Sequence, residues 1–267
     1  MQHTRRRVIL LGIVLCCMVT AVQAVFAQQQ DRPAQYRQEP AQLTTHRITE
    51  SVYEVRGGSG ANAWFILTDS ETLVVDAKMS TESAQDMLDA IQKLTDRPVH
   101  RLLITHSDGD HINGIPGFPR QIEIIAHGNS LKYMGEVFKP ENGQPIRRGQ
   151  TFASQLDLFS GGARIRLLHY GAAHTEGDAV IFFPSEKVAF LGDLIFLGRD
   201  PLIHKHKNGN SFGLVKVLKS VLELDAEIFL HGHGAPANRE DVLGFIAALE
   251  EKQAKVRTLI DEGKSLE

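Results

Sequence analysis

The chain contains the stretch His106-Ser107-Asp108-Gly109-Asp110-His111, which is dense in side chains that bind metal ions. The apolar run Leu102-Leu103-Ile104 precedes it, and the glycine-rich run Asn113-Gly114-Ile115-Pro116-Gly117 follows it. Open α/β sheets place their chemistry where an apolar strand ends in a polar turn. Imidazole and carboxylate ligands together suit zinc or iron, whereas an all-oxygen set suits magnesium or calcium. The stretch therefore predicts a metal site at the end of a strand.

Three further candidate ligands lie later in the chain. His174 lies in a loop between two predicted strands, Asp193 follows the run 188–192, and His233 follows the run 228–232. Each has a glycine nearby, which allows the backbone to approach closely. We therefore expect ligands from several strand ends to converge on one edge of a sheet.

Strand and helix patterns follow one another in two rounds. The first round predicts strands at 52–55, 63–67, 73–76, 99–105 and 122–126. It also predicts a helix with apolar spacing at 84–94 that Ser80 or Thr81 can cap, a helix at 129–138, and a polar loop at 141–150. The second round predicts strands at 156–159, 165–170, 179–183, 188–191 and 227–230, and helices at 212–222 and 239–260. This order favours an α/β fold in which two sheets face each other with helices outside.

Residues 1–27 have the pattern of a secretory signal peptide. Arginines at 5–7 precede an apolar run at 8–22, and Val25-Phe26-Ala27 supplies small residues for cleavage near Ala27. We expect a periplasmic or secreted protein that keeps no stable membrane anchor after cleavage. A membrane anchor is the competing interpretation, although the run is short of the ~20 apolar residues of a span. The arginines also resemble a twin-arginine signal, but triple arginines are common in ordinary Sec signals.

Residues 28–45 predict a flexible leader rich in Gln, Pro and Arg, and residues 46–267 predict one folded domain. Both cysteines, Cys16 and Cys17, lie in the signal, so the metal site must be built from His and Asp. Removal of residues 1–27 changes the formal charge from −3 to −6. This acidic balance does not support nucleic-acid binding as the main activity.

Four stretches in this order resemble the motifs of the metallo-β-lactamase superfamily, and the likeness covers nearly all of residues 46–250. That family carries His-x-His-x-Asp-His, a later His, an Asp after a Gly, and a Gly-His-Gly near the end. The matching stretches here are His106 to His111, His174, Gly192-Asp193 and Gly232-His233-Gly234. Asn62 and Asp76 also fall where the family has an Asn and an Asp on its early strands. The resemblance implies a four-layer αββα sandwich of two mixed sheets, with one or two metal ions at the sheet edge.

The resemblance also implies how the ligands divide between two metal ions. The first ion would be held by His106, Asp108 and His174, the second by Asp110, His111 and His233, and Asp193 would bridge both. Asp108 departs from the family, which has a His there, and a carboxylate makes the site harder and less positive. The flavodiiron branch has a Glu at this position and uses iron, so iron stays open beside zinc. In the alternative interpretation, Asp108 only hydrogen-bonds a ligand histidine.

Such a site implies hydrolysis, because a metal polarises a carbonyl or phosphoryl oxygen and lowers the pKa of bound water toward ~7, which supplies hydroxide at neutral pH. Asp110 is the candidate catalytic residue, since a carboxylate that touches this water can orient it and deliver its proton. A purely ligating Asp110 is the alternative. We expect an exported metal-dependent hydrolase that uses zinc and attacks a small ester, lactone, thioester or amide. A β-lactam is one candidate substrate.

Two other functions stay open: a non-haem (di)iron redox protein, and a metal-binding protein whose site is weakened by Asp108. Small molecules are the expected partners, and the oligomeric state is not specified by the sequence. The basic run 204–207 either lines the substrate pocket or is solvated. Asp178 is interpreted as a turn or supporting residue, and His231 as a strand residue. His127 and Tyr170 are candidate oxyanion donors, with core packing as the favoured alternative.

Overall fold

The computed structural model describes residues 41–135 and 148–264, with twelve strands and five α-helices among them. The predicted signal peptide with both cysteines, and the predicted leader up to residue 40, lie outside the described residues. So do residues 136–138 of the predicted helix and residues 141–147 of the predicted loop. Within the described parts, no helix is long and apolar enough to cross a membrane.

The first sheet has seven strands, which lie side by side in chain order. They are β1 (Thr44–Arg47), β2 (Val52–Arg56), β3 (Ala63–Leu67), β4 (Thr72–Val75), β5 (Val99–Leu103), β6 (Glu123–His127) and β7 (Arg148–Phe152). Strands β1 to β4 pair antiparallel, and β4 to β7 pair parallel. Helix α1 (Thr81–Leu94) connects β4 to β5, and the short helices α2 (Gly109–Ile112) and α3 (Gly128–Leu131) follow β5 and β6. The carboxyl ends of β5 and β6 therefore point to the same sheet edge, where open α/β sheets place their ligands.

The second sheet has five strands in the order β12-β11-β10-β9-β8. They are β8 (Gln155–Ser160), β9 (Ala163–Leu168), β10 (Val180–Phe183), β11 (Val188–Gly192) and β12 (Ile228–His231). Only β11 and β12 pair parallel, and helix α4 (Ser211–Leu222) connects them. Helix α5 (Arg239–Asp261) follows β12. Both sheets are therefore mixed.

Alternation along the strands divides the core into three layers. On β3, Trp64 and Ile66 belong to the cluster between the sheets, whereas Phe65 packs in the cluster that includes α1. On β11, Phe190 faces the other sheet, and Leu191 packs in the cluster that includes α4 and α5. This arrangement is a four-layer αββα sandwich, which confirms the predicted fold class.

Helix α1 shows how local sequence signals set one of these elements. The Ser80 side chain accepts a hydrogen bond from the Ser83 backbone N–H at 3.2 Å and caps the first turn. Ala84, Met87 and Ile91 are buried at helical spacing against the first sheet. The predicted helix at 84–94 is therefore confirmed, with its start at Thr81.

Three elements differ most from the sequence-based expectation. Strand β1 begins at Thr44, inside the predicted leader, and β7 includes residues 148–150 of the predicted polar loop. Both are edge strands of the first sheet, and polar edge strands lack the apolar alternation that marks a strand. In the described part of the predicted helix at 129–138, α3 ends at Leu131, and Tyr133 N–H instead bonds the Ser130 carbonyl at 3.0 Å. This i to i−3 bond is typical of a helix end.

Candidate metal centre

The ligand-dense stretch begins directly beyond β5, where the chain turns into α2. The Asp108 carbonyl accepts hydrogen bonds from the His111 N–H at 2.9 Å and the Ile112 N–H at 3.2 Å. Asp108 at the start of this single helical turn and His111 within it both belong to the candidate metal groups. Ala61 N–H bonds the Asp110 carbonyl at 3.3 Å and ties the turn to the loop before β3.

The structure brings all seven predicted ligands together in three overlapping groups. The groups are His106, Asp108 and His174; His106, His111 and Asp193; and Asp110, His111 and His233. Within each group, one nitrogen or oxygen from every residue lies within 4.8 Å of the others. These residues come from the ends of β5, β11 and β12 and from the loop between β9 and β10. The groups match the two ligand sets that the resemblance implied, with Asp193 close to both.

Interatomic distances place Asp108 among the first set of side chains. Its Oδ2 atom lies 3.1 Å from His174 Nε2 and 3.8 Å from His106 Nε2. Asp108 Oδ2 therefore lies beside the ring nitrogens that a metal ion in the first set would use.

The side chains of the second set lie equally close together. His233 Nε2 lies 3.2 Å from an oxygen of Asp110 and 3.2 Å from Asp193 Oδ2. His111 Nε2 lies 3.2 Å from Asp193 Oδ1. Each Asp193 oxygen therefore faces a different histidine.

Several buried polar atoms at the centre lack a hydrogen-bond partner among the described residues: His106 Nε2, His111 Nε2 and Asp193 Oδ1. The last two atoms are close, but they do not meet hydrogen-bond geometry. Buried polar atoms without partners destabilise a fold by about 1–3 kcal/mol each. A cation shared between these nitrogens and oxygens removes that cost, and the mixed donor set suits zinc or iron. The residues therefore fit a metal ion.

Three of the imidazoles are oriented by a bond on the opposite ring nitrogen. His111 Nδ1 donates to Asp76 Oδ2 at 2.7 Å, and His174 Nδ1 donates to the Leu202 carbonyl at 2.7 Å. His106 Nδ1 lies 3.0 Å from Thr105 Oγ1, whose own proton goes to Asp76 at 2.7 Å. With each Nδ1 as donor, the Nε2 lone pair is directed into the centre, as metal-binding histidines require.

The pKa shifts of the histidines in the metal-free centre differ in direction. Burial, together with nearby His111 and His174, holds the pKa of His106 well below its usual range, so its ring is neutral. Hydrogen bonds to Asp110 and Asp193 raise the pKa of His233 to about 9. His233 is therefore protonated at neutral pH in the metal-free protein, and a bound metal ion must displace that proton.

Asp76 allows a sharp test of imidazole orientation. Asn at position 76 keeps the shape and tolerates the positive φ of 63°, but its amide group does not reproduce the carboxylate that fixes the His111 tautomer. We expect Asp76→Asn to weaken zinc binding roughly 10- to 100-fold, measured by competition with a chromophoric chelator. The exposed Asp86→Asn in α1 is the control and should bind like the wild type. An unchanged affinity in Asp76→Asn would show that the carboxylate does not orient the ring.

Two residues at the centre were not assigned from sequence. His204 Nε2 lies 2.6 Å from Asp108 Oδ2, and Lys207 Nζ lies 2.7 Å from Asp108 Oδ1. The basic run 204–207 was expected either to line the pocket or to be solvated, and two of its members contact Asp108 at the centre. Adjacent histidines and lysines in a loop have no periodic pattern that identifies this contact in advance.

Other candidate residues lie outside the metal groups. Asp178 accepts bonds from the Thr175 N–H and hydroxyl, which agrees with a turn residue. His231 ends β12, as a strand residue. His127 uses one ring nitrogen on the Ala153 carbonyl and the other on the Asn129 N–H. It therefore has no ring N–H left to serve as an oxyanion donor.

Comparison with known families agrees with the geometry of the centre. The family model described as the metallo-beta-lactamase superfamily matches residues 56–233, a span that includes every candidate ligand. The chain belongs to the metallo-β-lactamase superfamily. Members of this superfamily typically bind metal ions and are mostly hydrolases, which gives the clustered His and Asp side chains a chemical context.

Two curated relatives within this superfamily share about a quarter of their aligned residues with the chain. The 2,4-dinitroanisole O-demethylase subunit alpha of Nocardioides sp. (strain JS1661) is 26% identical over 200 residues, which are 74% of this chain and 59% of the relative. The atrochrysone carboxyl ACP thioesterase of Emericella nidulans is 27% identical over 166 residues, which are 60% of this chain and 49% of the relative. The chain thus spans only about half to three fifths of the length of these relatives.

Solved metallo-β-lactamases share the fold of this superfamily member. The enzyme from Pontibacter korlensis superimposes with a TM-score of 0.67 at 19% identity, covering 78% of this chain and 99% of that structure. DIM-1 metallo-β-lactamase superimposes with a TM-score of 0.68 at 18% identity, covering 80% of this chain and 100% of that structure. At such low identity, the likeness establishes the fold and not the substrate.

Proposed function

We propose that this protein is a zinc-dependent hydrolase that cleaves a small ester, lactone, thioester or amide. The observation that carries the proposal is the convergence of buried His106 Nε2, His111 Nε2 and Asp193 Oδ1, which have no hydrogen-bond partner within residues 41–135 and 148–264. The superfamily is mostly hydrolytic, and one relative is named a thioesterase. We therefore rank thioesters and esters first, and β-lactams after them, since the similarity to metallo-β-lactamase structures supports only the fold.

Asp110 is proposed to act on the proton of the attacking water. Its side chain is 27% exposed, compared with 11% for Asp108 and 3% for Asp193, so solvent and substrate reach it most readily. When bound, a zinc ion polarises the substrate oxygen and lowers the pKa of water. The Asp110 carboxylate then holds the water by a hydrogen bond, accepts its proton and later donates that proton to the leaving group.

The other residues are proposed to bind and orient. His106, His111 and His174 present Nε2 from buried positions and are held from behind, so they fix the geometry of the centre. The His233 side chain is 32% exposed and packs against the ring of Phe196 with centroids 5.7 Å apart. His233 and Asp110 together form the accessible side of the centre, where we place the small-molecule substrate.

Location in the periplasm or outside the cell is part of the proposal and rests on the sequence of residues 1–27 alone. A periplasmic or secreted hydrolase of small molecules does not require nucleic acid as a partner, in keeping with the acidic charge. A second candidate function, a non-haem iron redox protein, is favoured by the carboxylate of Asp108 inside the first ligand group.

Hydrolysis of a substrate panel tests the proposal. The panel contains thioesters, esters, lactones, β-lactams and phosphodiesters, assayed with the purified protein before and after treatment with a chelator. We expect turnover of a carbonyl substrate that chelation abolishes and added zinc restores. Turnover that survives removal of all metal would exclude the mechanism. Near-stoichiometric iron with oxygen consumption would favour the redox function instead.

A further inference from the structure

The two ligand sets differ in the charges that surround their carboxylates. Asp108, in the first set, forms an ion pair with Lys207, whose Nζ also contacts the Ser107 carbonyl at 3.0 Å. The Asp108 and Lys207 side chains are only 11% and 13% exposed, so the pair is shielded from water and its charges interact more strongly than a surface pair.

Lys207 is fixed in this position by its backbone. Its carbonyl accepts a bond from the Glu176 N–H at 2.8 Å, and its N–H donates to the His204 carbonyl at 2.9 Å. His204 N–H in turn donates to the carbonyl of His174 at 2.9 Å. The loop that carries the lysine is thus attached to the segment that carries a candidate ligand, and the ion pair is built into the centre.

In the part of the chain that the structure describes, the second set has no comparable cation. Among the described residues, the Asp110 and Asp193 carboxylates form ion pairs only with histidines, namely His111 and His233. The buried Lys78 influences Asp110 electrostatically, but its Nζ bonds the Ala61 carbonyl and does not touch the carboxylate. This set therefore keeps two carboxylate charges for a metal ion.

We propose that Lys207 is a positioning residue that makes the two metal positions unequal in affinity. This inference rests on the proposed metal-dependent function. The set of Asp110, His111, Asp193 and His233 binds a first divalent cation, and the set of His106, Asp108 and His174 binds a second one more weakly. Lys207 repels the second cation and occupies Asp108 Oδ1, which leaves Oδ2 to face His106 and His174 while it also contacts His204 Nε2 at 2.6 Å.

The ion pair also gives a different interpretation of Asp108, the residue at which this chain departs from the family motif. Asp108 and Lys207 together carry no net charge, like the neutral histidine that the family has at this position. The proposal therefore predicts that Lys207 offsets the negative charge that a carboxylate at position 108 adds to the first set.

Calorimetric titration of the metal-free full chain with zinc chloride tests this proposal. We expect two binding steps of different affinity in the wild type. In Lys207→Met, the weaker step should tighten roughly tenfold or more, because a buried positive charge beside the cation is removed, while the stronger step stays unchanged. Lys207→Arg keeps the charge and should retain two unequal steps. Lys205→Met is the matched control, since it removes the same charge from an exposed neighbour and should behave like the wild type.

A crystal of the wild-type protein with one equivalent of zinc provides a test that needs no variant. Anomalous scattering should appear between Asp110, His111, Asp193 and His233. Equal occupancy of both positions, two equal steps in the titration, or no tightening in a folded Lys207→Met would overturn the proposal. Chelator-sensitive hydrolysis with two equal steps would reject this inference and leave the function standing. Chelator-insensitive hydrolysis with two unequal steps would support this inference and reject the proposed function.

Discussion

Replacement of Asp110 by asparagine is expected to lower kcat for hydrolysis roughly 10²- to 10⁴-fold. Asparagine has nearly the same shape and keeps an oxygen near His233, but it cannot accept a proton from water. His111, Asp193 and His233 remain as ligands in the variant. The loss should therefore persist at saturating zinc, and metal analysis should still find zinc bound. Steady-state kinetics at increasing zinc concentrations measures both quantities.

The control for Asp110→Asn is Asp89→Asn, which changes an exposed acid on α1 and should leave kcat unchanged. Full recovery of Asp110→Asn activity at high zinc would show that Asp110 only binds metal. That result would favour the alternative in which the carboxylate takes no part in proton transfer.

Substitution of Gly232 by alanine should displace the Asp193 and His111 side chains of the centre. A Cβ at this position would approach Asp193 Oδ1 and lie 2.8 Å from His111 Cε1. The backbone cannot retreat, because the Gly232 N–H bonds the Gly192 carbonyl at 2.9 Å and its carbonyl accepts from the Asn62 N–H at 2.8 Å. We expect a loss of stability of about 1–3 kcal/mol from overpacking, and a fall in zinc affinity of roughly 100-fold or more as the ligands shift.

Chemical denaturation and zinc titration of Gly232→Ala measure these two effects. Gly244→Ala is the matched control, because this glycine lies on the exposed face of α5 and no atom of the described residues lies within 4 Å of the added methyl group. It should leave zinc binding unchanged and stabilise the helix by up to about 1 kcal/mol. If Gly232→Ala bound zinc like the wild type, His111 and Asp193 would not be placed by close contact with this glycine.

The sequence predicted the layers and the clustering of the candidate ligands for a physical reason. Buried strands such as 188–191 are marked by continuous apolar runs, and each ligand directly follows such a run or lies in the loop between two of them. The residue type and the strand end together locate His106, Asp193 and His233 without knowledge of the third dimension.

The features that the sequence did not predict are contacts between segments without periodic patterns. Lys207 reaches Asp108 across 99 residues of chain, and neither lysine nor its loop carries a signal for that pairing. Strands β1 and β7 are polar edge strands, whose structure depends on hydrogen bonds to a neighbouring strand and not on an apolar face. Contacts between distant segments determine both the lysine contact and the two edge strands, so the local sequence could not predict them.

The ligands are divided between the two sheets. His106 to His111 follow β5 of the first sheet, whereas His174, Asp193 and His233 belong to the second. A cation bound by ligands from both sheets would act as an inorganic cross-link that exists only in the folded state. Through mass action, free zinc at 100 times its dissociation constant would add about 2.7 kcal/mol of resistance to unfolding. The free energy of unfolding of this protein would then depend on the free zinc concentration as well as on its amino acids, and a chelator would act on it as a denaturant.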